Sequence, residues 1–361
     1  MYSRTMRLLD ANLNRAAEGL RVLEDVARFI LDDRPLSREL KAARHEVSAL
    51  AQALAVLLLS QRDSAGDVGR ESALPAAADP ALVSLVRANA KRVEESLRVI
   101  EECSRLAVLA GCVDTVQVER LRYAAYDFEK RLVGRLLRLE RRRAVSGLYV
   151  VVDRDTVGGA DLCRIAADAI DGGASVIQLR DKKGERGDVL REAEALCDLC
   201  RKRNVLFVMN DHADIAAAVG APALHVGQTD LPLAVVRTLL PIDTLIGVSC
   251  SDRESVFRAL EEGADYVAVG AVFPTAQKKN VVVTGLDLVR WAHSVVGDTP
   301  LVAIGGIGAL NVRDVVEAGA GCVAVISAVV SQPDVLQAAQ GLSRAIAESI
   351  ARGGHDGNEP A

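Results

Sequence analysis

The sequence predicts an all-α N-terminal domain followed by an α/β domain of the (β/α)8 TIM-barrel class. Three observations carry this expectation. Up to about residue 143, apolar positions recur at three- and four-residue spacing, the period of an amphipathic helix. From Gly147 the rhythm changes to short β-branched runs alternating with helical stretches. Several of those runs follow a helix-stopping glycine, as in "DGGAS", "EEGADY" and "EAGAGC". The expected boundaries are 1–143 for the helical domain and 144–348 for the barrel, with a disordered tail over 349–361.

The helical domain contains an internal repeat. "NLNRAAEGLRVLEDVAR" (Asn12 to Arg28) matches "NAKRVEESLRVIEECSR" (Asn89 to Arg105) at a constant offset of 77. Asn12/Asn89, Arg15/Arg92, Glu18/Glu95, Arg21/Arg98, Glu24/Glu101 and Arg28/Arg105 are among the identities. Two similar helical units about a pseudo-twofold axis would produce this pattern. The charges are spaced as in solvated salt-bridge ladders. Their retention in both copies also fits a paired-charge interior or a ligand site, and the sequence leaves these open. "SQRDSAGDVGRES" (Ser60 to Ser72) reads as a connector, and the basic "RLVGRLLRLERRR" closes the domain.

The second half runs "GLYVVVDR", "SVIQLRD", "VLFVMND", "ALHVGQ", "LIGVSC", "YVAVGAV", "LVAIGG" and "CVAVISAV". Eight nearly continuous apolar strands separated by helices are what a parallel sheet closed into a barrel requires. An open doubly wound sheet is the alternative. It usually has fewer strands, and no G-x-G-x-x-G follows the first one.

Composition narrows the function classes. Residues 1–143 carry 25 Lys and Arg against 21 Asp and Glu, so not even the more basic half makes a nucleic-acid footprint. Aromatics are 3% of the chain, too few for a single-strand stacking platform. The seven cysteines are odd in number and scattered, which suits a reducing, cytoplasmic setting. Cys197 and Cys200 form a C-x-x-C inside a helical pattern without a second pair, so they read as packing thiols. The longest apolar run, Ala49 to Leu59, is short for a membrane span, and no membrane partner is expected.

In a barrel, chemistry collects at the C-terminal ends of the strands. Those ends carry Asp153; Gln178, Arg180, Asp181 and Lys182; Asn210 and Asp211; Gln228 and Asp230; Ser249; Thr275 and Lys278; Gly305–Gly306; and Ser327. Asp211 and Asp230 can share one hard cation, and Mg2+ takes one or two carboxylates while completing its shell with water and phosphate oxygens. Arg180, Lys182 and Lys278 would surround those phosphates. Gly305–Gly306 after the seventh strand and the turn after Ile326–Ser327 following the eighth suit a second phosphate. Such parts fit a reaction in which pyrophosphate leaves and a nucleophile from a second substrate replaces it. His212 and His225 read as structural neighbours of the site.

"QLRDK", "MND", "HVGQTDLP", "GVSC", "PTAQKK", "AIGGI" and "VIS", in this order and spacing, resemble the thiamine-phosphate synthases over about residues 147–345. The resemblance implies a transferase of thiamine biosynthesis. It joins the diphosphate of 4-amino-5-hydroxymethyl-2-methylpyrimidine to 4-methyl-5-(2-phosphoethyl)thiazole and releases pyrophosphate. It implies that Gln178, Leu179, Arg180, Asp181, Lys182, Asn210, Ser249 and Lys278 bind the pyrimidine diphosphate. Arg180, Lys182, Ser249 and Lys278 would be catalytic, and Asp211 and Asp230 would ligate Mg2+. Thr275, Ala276, Gln277, Gly306, Ile326 and Ser327 would hold the thiazole phosphate. Two departures stand out: Gln277 replaces the second threonine of the usual Thr-x-Thr-Lys, and Asp181 stands where glutamate is common.

The helical half, through "RLLDANLNRAAEGLRVLEDVARF", "LSRELKAARHE" and "RDSAGDVG", resembles the small domain found fused ahead of this synthase. That family is associated with ATP-dependent phosphorylation of the pyrimidine monophosphate. Asn12, Arg15, Arg21 and their repeat partners are then candidates for phosphate contacts, although no G-x-x-x-x-G-K-[ST] loop is present. A thiazole tautomerase and a non-catalytic pathway sensor are competing readings of the barrel. A helical packing module is the competing reading of the N-terminal half. The partners expected are small phosphorylated pyrimidines and thiazoles, and the sequence leaves a homo-oligomer open.

Overall fold

The computed structural model describes residues 2–62, 81–106, 113–275 and 282–353. The chain divides into two compact units, Met1–Leu137 and Arg138–Ala361.

The first unit is helical: α1 (Tyr2–Phe29), α2 (Arg34–Ala53), α3 (Ala55–Gln61), α4 (Leu82–Ser104) and most of α5 (Thr115–Arg142). Helices α1 and α4, which carry the repeat, pack closely. A Cβ on Gly19 would come within 2.6 Å of a Val93 methyl, so only glycine permits this approach. The repeat separates into two sets. Asn12, Asn89, Glu24 and Glu101 are buried, whereas Arg15, Arg92, Arg21 and Arg98 are exposed. Each buried asparagine repeats one bond, Asn12 Nδ2 donating to Leu8 O at 2.8 Å and Asn89 Nδ2 to Leu85 O at 2.9 Å. Each buried glutamate takes an arginine from the following long helix, Arg44 on Glu24 at 2.7 Å and Arg122 on Glu101 at 2.8 Å. The duplication therefore spans helix pairs, α1–α2 and α4–α5.

The second unit is a closed eight-stranded parallel barrel, as the sequence predicts. Its strands are β1 (Gly147–Asp153), β2 (Ala174–Arg180), β3 (Leu206–Asn210), β4 (Ala223–Val226), β5 (Leu245–Cys250), β6 (Tyr266–Val269), β7 (Leu301–Ile304) and β8 (Cys322–Val325). The intervening helices are α6 (Arg154–Val157), α7 (Leu162–Asp171), α8 (Arg186–Arg203), α9 (Ala213–Val219), α10 (Leu233–Leu239), α11 (Arg253–Glu261), α12 (Gly285–Val295), α13 (Val312–Glu317), α14 (Ser327–Val330) and α15 (Val335–Gly353). Helix α15 therefore continues through the first part of the stretch expected as a tail, and residues 354–361 lie outside the described residues.

Alternation along the strands makes two cores. Outward residues such as Val150, Ile177, Leu179 and Met209 meet the helices, where Cys197 and Cys200 also pack. Inward residues such as Tyr149, Val151, Val176, Val208 and Tyr266 fill the barrel. At the N-terminal face, the last turn of α5 belongs with the barrel unit. Arg138 and Arg142 reach Asp265 Oδ1 at 3.1 and 3.2 Å, while Arg237 and the Ile246 N–H reach Oδ2 at 2.7 and 2.8 Å. This is why the division falls at Leu137, six residues before the sequence boundary.

Candidate active site

The inward alternation that fills the barrel with Val151, Val176 and Val208 carries Asp153, Arg180 and Asn210 to its C-terminal rim. A cavity of about 910 Å³ lies there. It is lined by Gln178, Arg180, Lys182, Asn210, Asp211, Asp230, Ser249, Thr275, Gly306, Ile326 and Ser327, together with Gly305 and Gln228.

Each cation is aimed by a neighbour. Arg180 Nη1 donates to Asp153 Oδ2, and the other Asp153 oxygen is held by the Thr156 N–H at 2.9 Å and its hydroxyl at 2.8 Å. Asp153 is 2% exposed, so this clamp sits beneath the arginine rather than beside it. Lys182 Nζ lies 2.9 Å from Asp211 Oδ2. Asp211 itself has φ of 60°, a conformation aspartate tolerates better than most residues, and its N–H donates to His225 O at 2.9 Å. Asp230 Oδ2 accepts the Gly227 N–H at 2.7 Å, which closes the turn after β4.

Both carboxylates line the 910 Å³ cavity and also a second one of about 560 Å³ beside it, together with Lys182. Each keeps a second oxygen outside the bonds just named. Among the described residues, no group of three or more His, Cys, Asp or Glu side chains could hold a metal ion. A two-carboxylate donor set of this kind suits a hard divalent cation that takes its remaining ligands from water and phosphate oxygens. The residues present thus fit Mg2+.

After β7 the backbone turns through Gly305 at φ 104° and Gly306 at φ 65°. A Cβ on Gly306 would lie 2.5 Å from Pro274 O, so the loop after β7 packs directly on the loop after β6. This brings Thr275, Gly306 and the Ile326–Ser327 corner to one side of the cavity.

Two residues that the resemblance implied as ligand contacts point elsewhere. The Leu179 side chain is fully buried between sheet and helices, because it alternates with Gln178 and Arg180. Asp181 is 6% exposed and accepts the N–H groups of Lys183 and Gly184 at 3.0 and 2.8 Å, so its carboxylate shapes the loop. Ala276, Gln277 and Lys278 lie outside the described residues.

Sequence reasoning passed over a buried chain of polar groups beneath the cavity. Gln178 Nε2 donates to the Tyr149 hydroxyl at 2.8 Å, which lies 3.3 Å from the Tyr266 hydroxyl. That hydroxyl is 3.1 Å from His225 Nδ1, and His225 Nε2 is 2.8 Å from Ser249 Oγ. Burial pushes both phenols well above their ordinary range, so both remain protonated. Gly247 makes room: a Cβ there would sit 1.9 Å from the Tyr266 ring. A tyrosine inside an aliphatic strand of an aromatic-poor chain was the available signal.

Both units match known protein families. The family model described as thiamine monophosphate synthase matches residues 148–329, and the ThiD2 family model matches residues 7–131. A thiamine-phosphate synthase of Synechocystis is 39% identical over 335 residues, covering 92% of this chain and 93% of the relative. That of Nostoc punctiforme is 38% identical over 326 residues, covering 89% and 88%. The solved structure of thiamine phosphate pyrophosphorylase from Pyrococcus furiosus is 34% identical. It superposes with a TM-score of 0.54, covering 58% of this chain and 99% of that one. The residues that converge on the barrel rim lie within the matched segment, and the relatives span both units: the chain belongs to the thiamine-phosphate synthase family.

Proposed function

We propose that the barrel condenses hydroxymethylpyrimidine diphosphate with the thiazole phosphate to form thiamine phosphate and pyrophosphate. The bond between the pyrimidine methylene carbon and the bridging oxygen breaks, and its electron pair leaves with pyrophosphate. The thiazole nitrogen lone pair then forms the new carbon–nitrogen bond, so no proton need move. Arg180 and Lys182 neutralise the departing charge, with Lys278 assigned the same role from the sequence. Asn210 and Ser249 orient the pyrimidine. Thr275, Gly306 and the Ile326–Ser327 corner receive the second phosphate, with Ala276 and Gln277 beside them in sequence. Mg2+ bound by Asp211 and Asp230 would supply fixed positive charge to the diphosphate. Such pre-aimed charge is worth most where water is excluded.

The observation that carries this reading is that two carboxylates, two cations and a glycine-rich phosphate corner line one cavity. A tautomerase acting by proton transfer would need neither the carboxylate pair nor the cations. The helical unit would make the diphosphate from the monophosphate with ATP, a reading supported by the match over residues 7–131. Exposed Arg15, Arg21, Arg92 and Arg98 are its candidate phosphate contacts, whereas Asn12 and Asn89 already bond the backbone. A cytoplasmic location suits a chain whose described cysteines are all free.

The test supplies purified protein with thiazole phosphate, Mg2+ and either the pyrimidine diphosphate or the monophosphate plus ATP. Thiamine phosphate with stoichiometric pyrophosphate from the diphosphate is the expected result, and its absence rejects the synthase. Product from the monophosphate plus ATP is expected if the helical unit is a kinase. Its absence, with the diphosphate still turned over, rejects that part alone.

A further inference from the structure

Ser249 and Gln178 both face the cavity, yet they stand on β5 and β2 and are joined through the barrel interior. The chain joining them has a sense. Every member is a hydrogen-bonding group with few protons to give. Gln178 Nε2 donates to Tyr149, whose own proton is then available to the Tyr266 oxygen. Tyr266 can in turn donate to His225 Nδ1. An imidazole that accepts at Nδ1 carries its proton on Nε2 when neutral, and so donates to Ser249 Oγ. Ser249 then has its hydroxyl proton left for the cavity. Reversing the His225 tautomer reverses the last link: the serine gives its proton to Nε2 and meets a ligand only as an acceptor.

We propose that Tyr266, supported by Tyr149, is a positioning residue that holds His225 in the Nε2–H tautomer and thereby makes Ser249 a hydrogen-bond donor to the pyrimidine diphosphate. The inference rests on the synthase reading for the ligand's identity, but the tautomer does not. Protonated phenols, buried where water cannot substitute for them, are what such a device requires. The Tyr266 ring also stacks on His225, with centroids 5.6 Å apart and planes at 25°, which fixes the imidazole orientation independently of the hydroxyl. Removing only the hydroxyl therefore separates the two contributions.

The experiment uses the full chain and the Tyr266→Phe variant. Histidine ring-nitrogen NMR reads the His225 tautomer without any turnover. Steady-state kinetics read KM for each substrate, and Ser249→Ala and the double variant complete a cycle. The wild type should show the Nε2–H form, and Tyr266→Phe should lose it. KM for the pyrimidine diphosphate should rise roughly tenfold, the cost of one hydrogen bond, with KM for the thiazole phosphate unchanged. Adding Ser249→Ala to Tyr266→Phe should then cost almost nothing more, because both remove the same donated proton. An Nδ1–H form in the wild type, an unchanged tautomer in the variant, or additive losses overturn the proposal. If Tyr266→Phe does not fold, the wild-type tautomer decides, and an Nδ1–H form there overturns the proposal. A wild type that makes no thiamine phosphate defeats the synthase reading, and the tautomer measurement still decides the positioning role.

Discussion

Lys182 Nζ and Asp211 Oδ2 form an ion pair of 2.9 Å at the cavity rim, with the lysine side chain 43% exposed and the aspartate 15%. Under the proposed function Lys182 is assigned to the diphosphate and Asp211 to the metal, and a metal-bound diphosphate would satisfy both partners separately. Asp211→Asn keeps the size and the backbone preference but removes the charge. Turnover should fall by roughly two to three orders of magnitude, the cost of one transition-state electrostatic contact. Mg2+ affinity, measured calorimetrically with the pyrimidine diphosphate analogue bound, should fall too. Near-normal turnover would contradict the assignment of Asp211.

Backbone conformation gives a separate reading of the same position. At φ of 60°, a Cβ crowds the following carbonyl, and aspartate and asparagine offset part of that by local hydrogen bonding. Asp211→Gly should thus be more stable than Asp211→Ala by about 1 kcal/mol in urea unfolding. Both should be equally inactive. Equal stability would mean that the loop relaxes out of this conformation in the variants.

The barrel was legible because period and punctuation agreed: apolar strands, glycine stops and polar residues at one end of each strand. Arg180, Asn210 and Ser249 could be placed on the cavity lining because strand ends project reliably. Leu179 shows what a contiguous motif leaves out, since it ignores the alternation that turns its middle side chain into the helix layer. Tyr149 and Tyr266 were hidden for the opposite reason. A tyrosine in an aliphatic strand looks like core, and it is core, and only three-dimensional closure brings the two hydroxyls together from strands 117 residues apart. Asp265 was hidden because it precedes β6 at the N-terminal rim, where a barrel's chemistry does not collect.

Asp265, 1% exposed, is the test of that neglected rim. It takes three arginines, including Arg138 and Arg142 from the end of α5, and a backbone N–H, so its loss strands buried positive charge. Asp265→Ala should destabilise the barrel by about 3–5 kcal/mol, the usual cost of breaking a buried pair from one side. Below the unfolding transition, both KM values should stay near wild type, since Asp265 lies at the face opposite the site. A selective rise in one KM would show that this cluster communicates with the cavity.

In the helical unit, two buried glutamates should respond to pH in opposite senses. Burial, reinforced by Glu129 and only partly offset by Lys91, holds Glu94 above the ordinary carboxylate value of 4.5. One of its oxygens is buried without a hydrogen-bond partner among the described residues. A raised folded pKa contributes stability that is fully present below the unfolded value and lost as pH rises through the folded one. Burial also pushes Glu101 up, but the Arg122 hydrogen bond and the charges of Arg122, Arg98 and Arg105 outweigh it and leave the carboxyl below 4.5. Its contribution is present above the unfolded value and fades as pH falls through the folded one. Glu94→Gln should therefore gain stability on wild type at pH well above 4.5, and the gain should vanish in acid. Glu101→Gln should lose stability at the same high pH, with the loss shrinking only in acid. Urea unfolding followed by helical circular dichroism across this range would check both, and a Glu94→Gln difference that ignores pH would show that the charge on Glu94 is not what strains this interface.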